Sequence, residues 1–382
     1  MDPRKFLAPE ILYGVGSRFR AGAYAANIGI RRALLVSDAG VIAAGWMEQV
    51  RESLARAGVE SVLFDGVSPN PRTHECQAGR ERYLAEACDG IVVVGGGSPM
   101  DCAKAIGILA VNEGCIRDFE GVDTIPTPCP PLICIPSTSG SSADVSQFCI
   151  INDIDRHVKM AIVSRILVPD VSLIDPETTC TMDAELTAAT GLDALTHAAE
   201  ALVSNARSSL TDLHAKEAIR LVWNNLVGAI EHPENLEYRH QMSLASLNAG
   251  LAFSNASLGA VHAMAHALGG LLDMPHGECN AILLPHVVER NFETAEQGYR
   301  AMAAAMDIAE QTLSAPACKA RLLESIRTLQ RQAGIPPRLG DCGVKPEDLA
   351  ALAKVAEQDA CLVTNPCDLD ADELENLYAR AL

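Results

Sequence analysis

The sequence predicts two domains of different class: an α/β N-terminal domain on a parallel, Rossmann-like sheet, residues 1–181, and an all-α C-terminal domain, residues 182–382. Three observations carry this. The length of 382 residues exceeds what one ordinary core organises, and the 48% share of hydrophobic residues suffices for two. Up to about residue 175, short apolar runs alternate with helical patterns, the rhythm of a parallel sheet covered on both faces. After about Thr181 the texture changes, and alanine and leucine at helical spacing run to the end.

Taken in order, RALLVSD at 32–38 reads as a first strand ending in an acid, and the amphipathic stretch 41–57 as a helix. SVLF at 61–64 is a second strand, SPNPRT at 68–73 a turn by composition, and 74–87 a helix. GIVVV at 90–94 then runs into GGGSPMDCAKAIGILA, where a helix opens at about Ser98. PLICIPSTSGSSADVS, 131–146, is a strand breaking into a hydroxyl-rich loop. Residues 147–163 read as a hairpin joined through Ile154–Arg156, and 167–175 as the last strand of this half. In the second half, HPEN at 232–235 and AGIPPRLGD at 333–341 punctuate helices.

Gly95, Gly96 and Gly97 sit between a buried strand and a helix. A diphosphate fits there, because glycines let a ligand approach the backbone and the helix's first amides point at it. The pattern is not GxGxxG, and no acid follows at the usual distance. The acid comes first, as Asp38 at the end of strand one. Asp38 suits the ribose hydroxyls of a dinucleotide, where it would repel a 2′-phosphate, and it suits equally the cap of the next helix.

The helical half carries a cluster of metal-binding residue types. Asp193 and His197 lie four apart in TGLDALTHAAE, and His262 and His266 lie four apart in GAVHAMAHALGGLLDMPHG, which ends with His276. On a helix, i and i+4 share a face, and the Met-Pro pair before His276 should break the helix and swing it round. Three imidazoles and a carboxylate suit a first-row divalent cation. Spacing does not say which four of the five bind. A substrate in a cleft between the two domains would meet both the glycine loop and the cation.

Thirty basic against forty-nine acidic residues give a formal net charge of −19, which argues against nucleic acid or an anionic membrane as partner. No apolar run reaches the roughly 18 residues of a membrane span. The opening MDPRKFLAPEILYGVG has no signal-peptide core. The thirteen cysteines are scattered without a CxxC pair, the usage of a cytoplasmic protein with reduced thiols.

These stretches together resemble the iron-containing (group III) alcohol dehydrogenases, over nearly the whole chain: YGVGS (13–17), SPNP (68–71), GGGSPMDCAK (95–104), TGLDALTHAAE (190–200), NAGLAFSNASLGAVHAMAHALGG (248–270) and PHGECNAILLP (275–285). The resemblance implies a dehydroquinate synthase-like architecture and an NAD-dependent alcohol dehydrogenase that is commonly dimeric or larger. It implies Asp193, His197, His262 and His276 as ligands of Fe²⁺, with Zn²⁺ also suited to the set. It places His266 near the nicotinamide, as a proton relay or a packing group. On the cofactor side it implies Gly95, Gly96, Gly97 and Ser98 as the diphosphate cradle, Asp38 as the acid favouring NAD over NADP, and Asn70 and Asp101 as neighbours. Thr138, Ser139, Ser146 and Lys159 fall in stretches lining the cofactor cleft. The chain departs from the family's pattern at Ser142, Ala143 and Asp144, where glycine, serine and glutamate are usual, and at Cys367, where arginine usually follows Asn365 and Pro366. The implied reaction moves a hydride between the carbon of a small alcohol and NAD, with the cation polarising the substrate oxygen. Other readings on this scaffold are a glycerol-type polyol dehydrogenase, a metal-assisted lyase, and a non-catalytic sensor that keeps both ligands.

Overall fold

The computed structural model describes residues 5–308 and 312–382. The chain divides into two compact units. One comprises Leu7–Thr138 and Ser142–Thr181, the other Ser139–Ser141 and Met182–Leu382 with the N-terminal segment through Phe6.

The first unit holds nine strands: β1 (Glu10–Tyr13), β2 (Arg32–Val36), β3 (Glu60–Phe64), β4 (Gly90–Gly95), β5 (Gly121–Val122), β6 (Leu132–Pro136), β7 (Phe148–Asp153), β8 (Val158–Val163) and β9 (Val171–Ile174). Its helices are α1 (Ala21–Asn27), α2 (Ala39–Ala43), α3 (Trp46–Arg56), α4 (Thr73–Ala85) and α5 (Gly97–Val111). Six strands form one sheet in the order β1-β9-β6-β4-β2-β3, and every pair in it is parallel. The small sheet β5-β8-β7 contains the expected hairpin, whose turn extends to His157 at φ 57.

Side chains alternate across a strand, and the two faces of the main sheet bury separate cores. Leu34, Val36, Ile91, Val93, Leu132 and Cys134 pack with residues of α4 and α5. Ala33, Leu35, Val92, Val94, Ile133 and Ile135 pack with α1 and α3 on the other face. This is why the strands read as continuous apolar runs rather than as alternating ones. The helix expected over 41–57 is two helices, since Gly45 takes φ 83 and separates α2 from α3. Three elements had no local signal, the four-residue edge strand β1, the short α1 and the two-residue β5.

The second unit holds α6 (Ala184–Val203), α7 (Ser209–Glu231), α8 (Leu236–Ala256), α9 (Ala260–Leu272), α10 (His276–Asn291), α11 (Glu296–Ala305), α12 (Ala315–Gln332), α13 (Leu349–Glu357) and α14 (Ala371–Ala381). Helices α6, α7 and α8 pack on one another, while α10 lies against α6 and α9, and α13 against α9. Helix α9 is apolar almost all round and buried from Ala260 to Gly270, the composition of a helix enclosed by others. Among the described residues, no helix is long and apolar enough to cross a membrane.

Candidate metal centre and dinucleotide loop

Two helices and a helix start bring the acid and three histidines together. Asp193 and His197 lie one turn apart on α6, both buried. His262 lies in the first turn of α9. That helix stops at Asp273, which takes the left-handed conformation with φ 53, and after Met274 and Pro275 the chain restarts as α10 with His276 at its first position. The expected break therefore occurs two residues before the proline. The Nε2 atoms of His197, His262 and His276 lie 3.9, 3.7 and 3.8 Å from one atom, Asp193 Oδ1. The donor atoms of Asp193, His262 and His276 all fall within 4.8 Å of one another. His197 stands at the edge of that group, its ring stacked between Phe253 at 4.2 Å and His262 at 4.5 Å. His276 is the most open of the four side chains, 28% exposed.

These spacings fit a small divalent cation. Metal–ligand bonds of about 2.1 Å in a tetrahedron put ligand atoms about 3.4 Å apart, slightly closer than the distances here. The Nδ2 of Asn280 lies 2.7 Å from Asp193 Oδ1, 3.1 Å from His262 Nε2 and 3.2 Å from His276 Nε2. A positively polarised N–H group thus sits among three atoms of the kind that ligate a cation. Burial alone would raise the Asp193 carboxyl, but His197, His262 and His276 outweigh it and hold the group well below the usual carboxylate range. Burial pushes His197 down to about 4, so it is a neutral imidazole. Burial also opposes charge on His262, yet the Asp193 and Glu200 carboxylates beside it push it up to about 9.

His266, one turn after His262, is held differently. Its Nδ1 lies 2.8 Å from Asp359 Oδ2. Its ring stacks on His276 at 5.3 Å and meets His262 edge-on at 6.1 Å.

In the first unit, the strand order places β2 between β3 and β4, so the connection from β3 to β4 passes over β2. Ligands of open parallel sheets bind at such a reversal, beyond the carboxyl ends of the strands. The loops after β2 and β4 flank it, tied by Ser37 Oγ donating to Val94 O at 2.7 Å. Asp38 caps α2, accepting from the Val41 N–H at 2.9 Å. Gly96 precedes α5 and provides no side-chain cap, so the helix's first amides face outward. A Cβ on Gly95 would meet Pro99 Cγ at 2.6 Å, and one on Gly96 would meet Thr138 Cγ2 at 3.0 Å. This is a cradle only glycine leaves open, and it suits a diphosphate. Asn70, at φ 55, donates its N–H to Ser98 Oγ at 3.2 Å. Asp101 shares the next turn of α5 with the fully buried Lys104, whose Nζ donates to Ser146 O at 2.9 Å and Phe148 O at 2.8 Å. Burial lifts the Asp101 carboxyl to about 7, against the pull of Lys104 and Lys159. Ser139 belongs to the other unit, where its Oγ lies 3.3 Å from Ser243 Oγ.

Four residues that the sequence reading did not single out take part. Glu200 and Asn280 each bond His262, Asp359 bonds His266, and Lys104 pins the loop after β6. Asn280 follows His276 by four residues and Glu200 follows His197 by three, so helical spacing contained a signal for both. Asp359 lies 93 positions from His266, and no local pattern links them. Of the departures, Asp144 is buried and accepts from Ser172 Oγ at 2.7 Å. Cys367 places its thiol 3.0 Å from Asn291 Oδ1.

Comparison with known proteins gives a consistent result. The family model for iron-containing alcohol dehydrogenase matches residues 8–176, and that for the C-terminal part of the Fe-containing alcohol dehydrogenase family matches residues 187–382. The 1,3-propanediol dehydrogenase of Citrobacter freundii is 40% identical over 378 residues, covering 98% of this chain and 96% of that one. The alcohol dehydrogenase 4 of Schizosaccharomyces pombe is 41% identical over 383 residues, covering 100% and 90%. A crystal structure of a 1,3-propanediol oxidoreductase superposes with a TM-score of 0.96 at 39% identity, each chain covered in full.

Proposed function

The chain belongs to the iron-containing alcohol dehydrogenase family and is an oxidoreductase of that family, and from this we propose that it interconverts a small primary alcohol or diol and its aldehyde with NAD(H). The observation that carries the reading is the approach of three imidazole Nε2 atoms to within 3.9 Å of one buried carboxylate oxygen. Asp193, His197, His262 and His276 would hold the cation, Fe²⁺ by family and Zn²⁺ by ligand chemistry. Bound there, a divalent cation polarises the substrate oxygen, and the nicotinamide supplies the hydride acceptor or donor.

The chain's own residues divide the remaining work. The domain of residues 1–181 holds the dinucleotide, with Gly95–Ser98 on the diphosphate, Asp38 on the ribose, and Asn70, Asp101, Thr138, Ser139, Ser146 and Lys159 around the cofactor. The domain of residues 182–382 holds the cation. His266, kept in place by Asp359 at 2.8 Å, carries the proton away from the substrate oxygen. Thirteen cysteines outside any disulfide support a reducing compartment such as the cytoplasm.

The test is direct. Protein stripped of metal and reloaded with Fe²⁺ or Zn²⁺ is mixed with NAD⁺ and a panel of short primary alcohols and diols, including 1,3-propanediol. Formation of NADH that vanishes on chelation is expected. Binding of NAD⁺ and metal with no turnover on any member would overturn the reading in favour of a sensor.

A further inference from the structure

Glu200 is buried, with 5% of its surface exposed, and its two oxygens do different things. Oε2 lies 2.6 Å from His262 Nδ1, and Oε1 accepts the Val261 N–H at 2.6 Å. The residue before helix α9 is Gly259, which has no side chain to cap it. Glu200 and Asn365 supply the missing acceptors from elsewhere, with Asn365 Oδ1 taking the Ala260 N–H at 3.2 Å. One carboxylate therefore fixes both the start of the helix that carries His262 and the ring of His262 itself.

The hydrogen bond at Nδ1 decides which nitrogen is left to bind. A carboxylate is an acceptor only, so it holds the proton on Nδ1 and leaves Nε2, 3.7 Å from Asp193 Oδ1, as the nitrogen that can give up its proton to a cation. Charge reinforces this. A dication with one carboxylate and three neutral imidazoles is left near +1, and a second buried carboxylate one ring away brings the assembly to neutrality, which a low-dielectric interior favours. Glu200 and His262 are both buried, so bulk solvent screens the pair little.

We infer that Glu200 is a positioning residue that selects the Nε2-binding form of His262 and thereby sets the cation affinity of the centre. This rests on the cation reading above. Substitution by glutamine keeps the shape but leaves a single acceptor oxygen for two N–H donors. Either the amide NH₂ faces the Val261 N–H, or it faces Nδ1 and drives the proton onto Nε2, where it blocks ligation.

The experiment measures Zn²⁺ dissociation constants by chelator competition on the full chain, for wild type, Glu200→Gln and Asn365→Ala. Glu200→Gln is expected to bind about 10- to 100-fold more weakly, while Asn365→Ala, which removes the Ala260 cap and the bonds to Asn291 and Cys367 but no contact with a histidine, stays within about threefold. Nitrogen-15 histidine spectra of the zinc-loaded wild type supply a readout independent of any variant's folding, and His262 is expected to carry its proton on Nδ1. Equal affinity of Glu200→Gln and wild type, equal weakening by Asn365→Ala, or a zinc-loaded His262 protonated on Nε2 each overturn the inference alone. Absence of Zn²⁺ binding by the wild type overturns the cation reading with it.

Discussion

His266 Nδ1 lies 2.8 Å from Asp359 Oδ2, and both side chains are buried. Asp359 also accepts the Cys361 N–H at 2.7 Å, so the carboxylate is itself fixed and the imidazole cannot turn freely. With Nδ1 engaged there, His266 is set apart from the three histidines whose Nε2 atoms approach Asp193 Oδ1. Alanine at Asp193, His197, His262 or His276 is expected to strip the metal. His266→Ala is expected to keep it and to lose about 10²- to 10⁴-fold in kcat, the range for loss of a general acid–base group. Elemental analysis beside steady-state rates decides, and loss of metal from His266→Ala would place it among the ligands.

Asp38 has two possible uses, as helix cap and as ribose acceptor, and one substitution separates them. Serine also accepts from the third amide of a helix, so Asp38→Ser retains the bond to Val41 N–H and removes the charge. Its melting temperature is expected to stay within about 2 °C of wild type, consistent with one cap exchanged for another. Its preference for NAD⁺ over NADP⁺, read as a ratio of kcat/KM, should fall by about tenfold or more, as one lost repulsion of about 1.4 kcal/mol implies. An unchanged ratio would leave Asp38 as a cap alone.

Asp101 is expected to make the first unit less stable as pH rises through the weakly acidic range. Its carboxyl is lifted from 3.8 to about 7, first by burial and against the pull of Lys104 and Lys159. Between those values the folded chain holds a proton that the unfolded chain has released, so stability falls with rising pH and levels off above about 7. Asp101→Asn removes the titration. Without NAD, its urea midpoint should match wild type near pH 4 and exceed it at pH 8 by the equivalent of about 1 to 3 kcal/mol. A gap of the same size at both values would mean that Asp101 is already ionised.

The parts of this fold that were legible in the sequence are those decided locally. The runs 90–94 and 132–136 are strands because both faces of the sheet are covered, and unbroken apolar composition reports that. β1 was not legible, since its four residues are held by pairing with β9 some 160 positions later. The break at Gly45 was hidden because the amphipathic pattern continues across it. At the centre, i,i+4 spacing picks out the residue types but not their orientation. Which nitrogen of His262 faces Asp193 depends on Glu200, and His266 depends on Asp359, each brought in by tertiary packing. The resemblance supplied a ligand set, and it too contained no statement about these two carboxylates.

The thiols differ in exposure, and their reactivity should follow. None of the thirteen is in a disulfide, and Cys115 is the exposed one. Burial pushes Cys88 up to about 11 and Cys129 up to about 12, and burial with the Glu278 carboxylate does the same to Cys342. Thiolate is the reactive form, so these stay protonated at pH 8. Brief iodoacetamide treatment of the folded protein should modify Cys115 first, and denaturant should release the rest. Early labelling at Cys88 or Cys129 instead would show that the packing around β4 and β6 opens locally.

Asn280 is a neutral hydrogen-bond partner of Asp193. Its Nδ2 donates to Asp193 Oδ1 at 2.7 Å within reach of His262 Nε2 and His276 Nε2, and it is fully buried. In the metal-free protein this amide is a neutral donor compensating Asp193. Asn280→Ala leaves that oxygen short of a partner, at a cost of about 1 to 3 kcal/mol. A cation takes the same lone pairs and should offset the loss. The variant's melting temperature without metal is therefore expected below wild type's, and its rise on adding saturating Zn²⁺ to exceed the wild-type rise. Wild type itself gains about 2.7 kcal/mol when free metal stands at 100 times its dissociation constant. Equal rises in the two proteins would mean that the amide and the cation do not compete for Asp193.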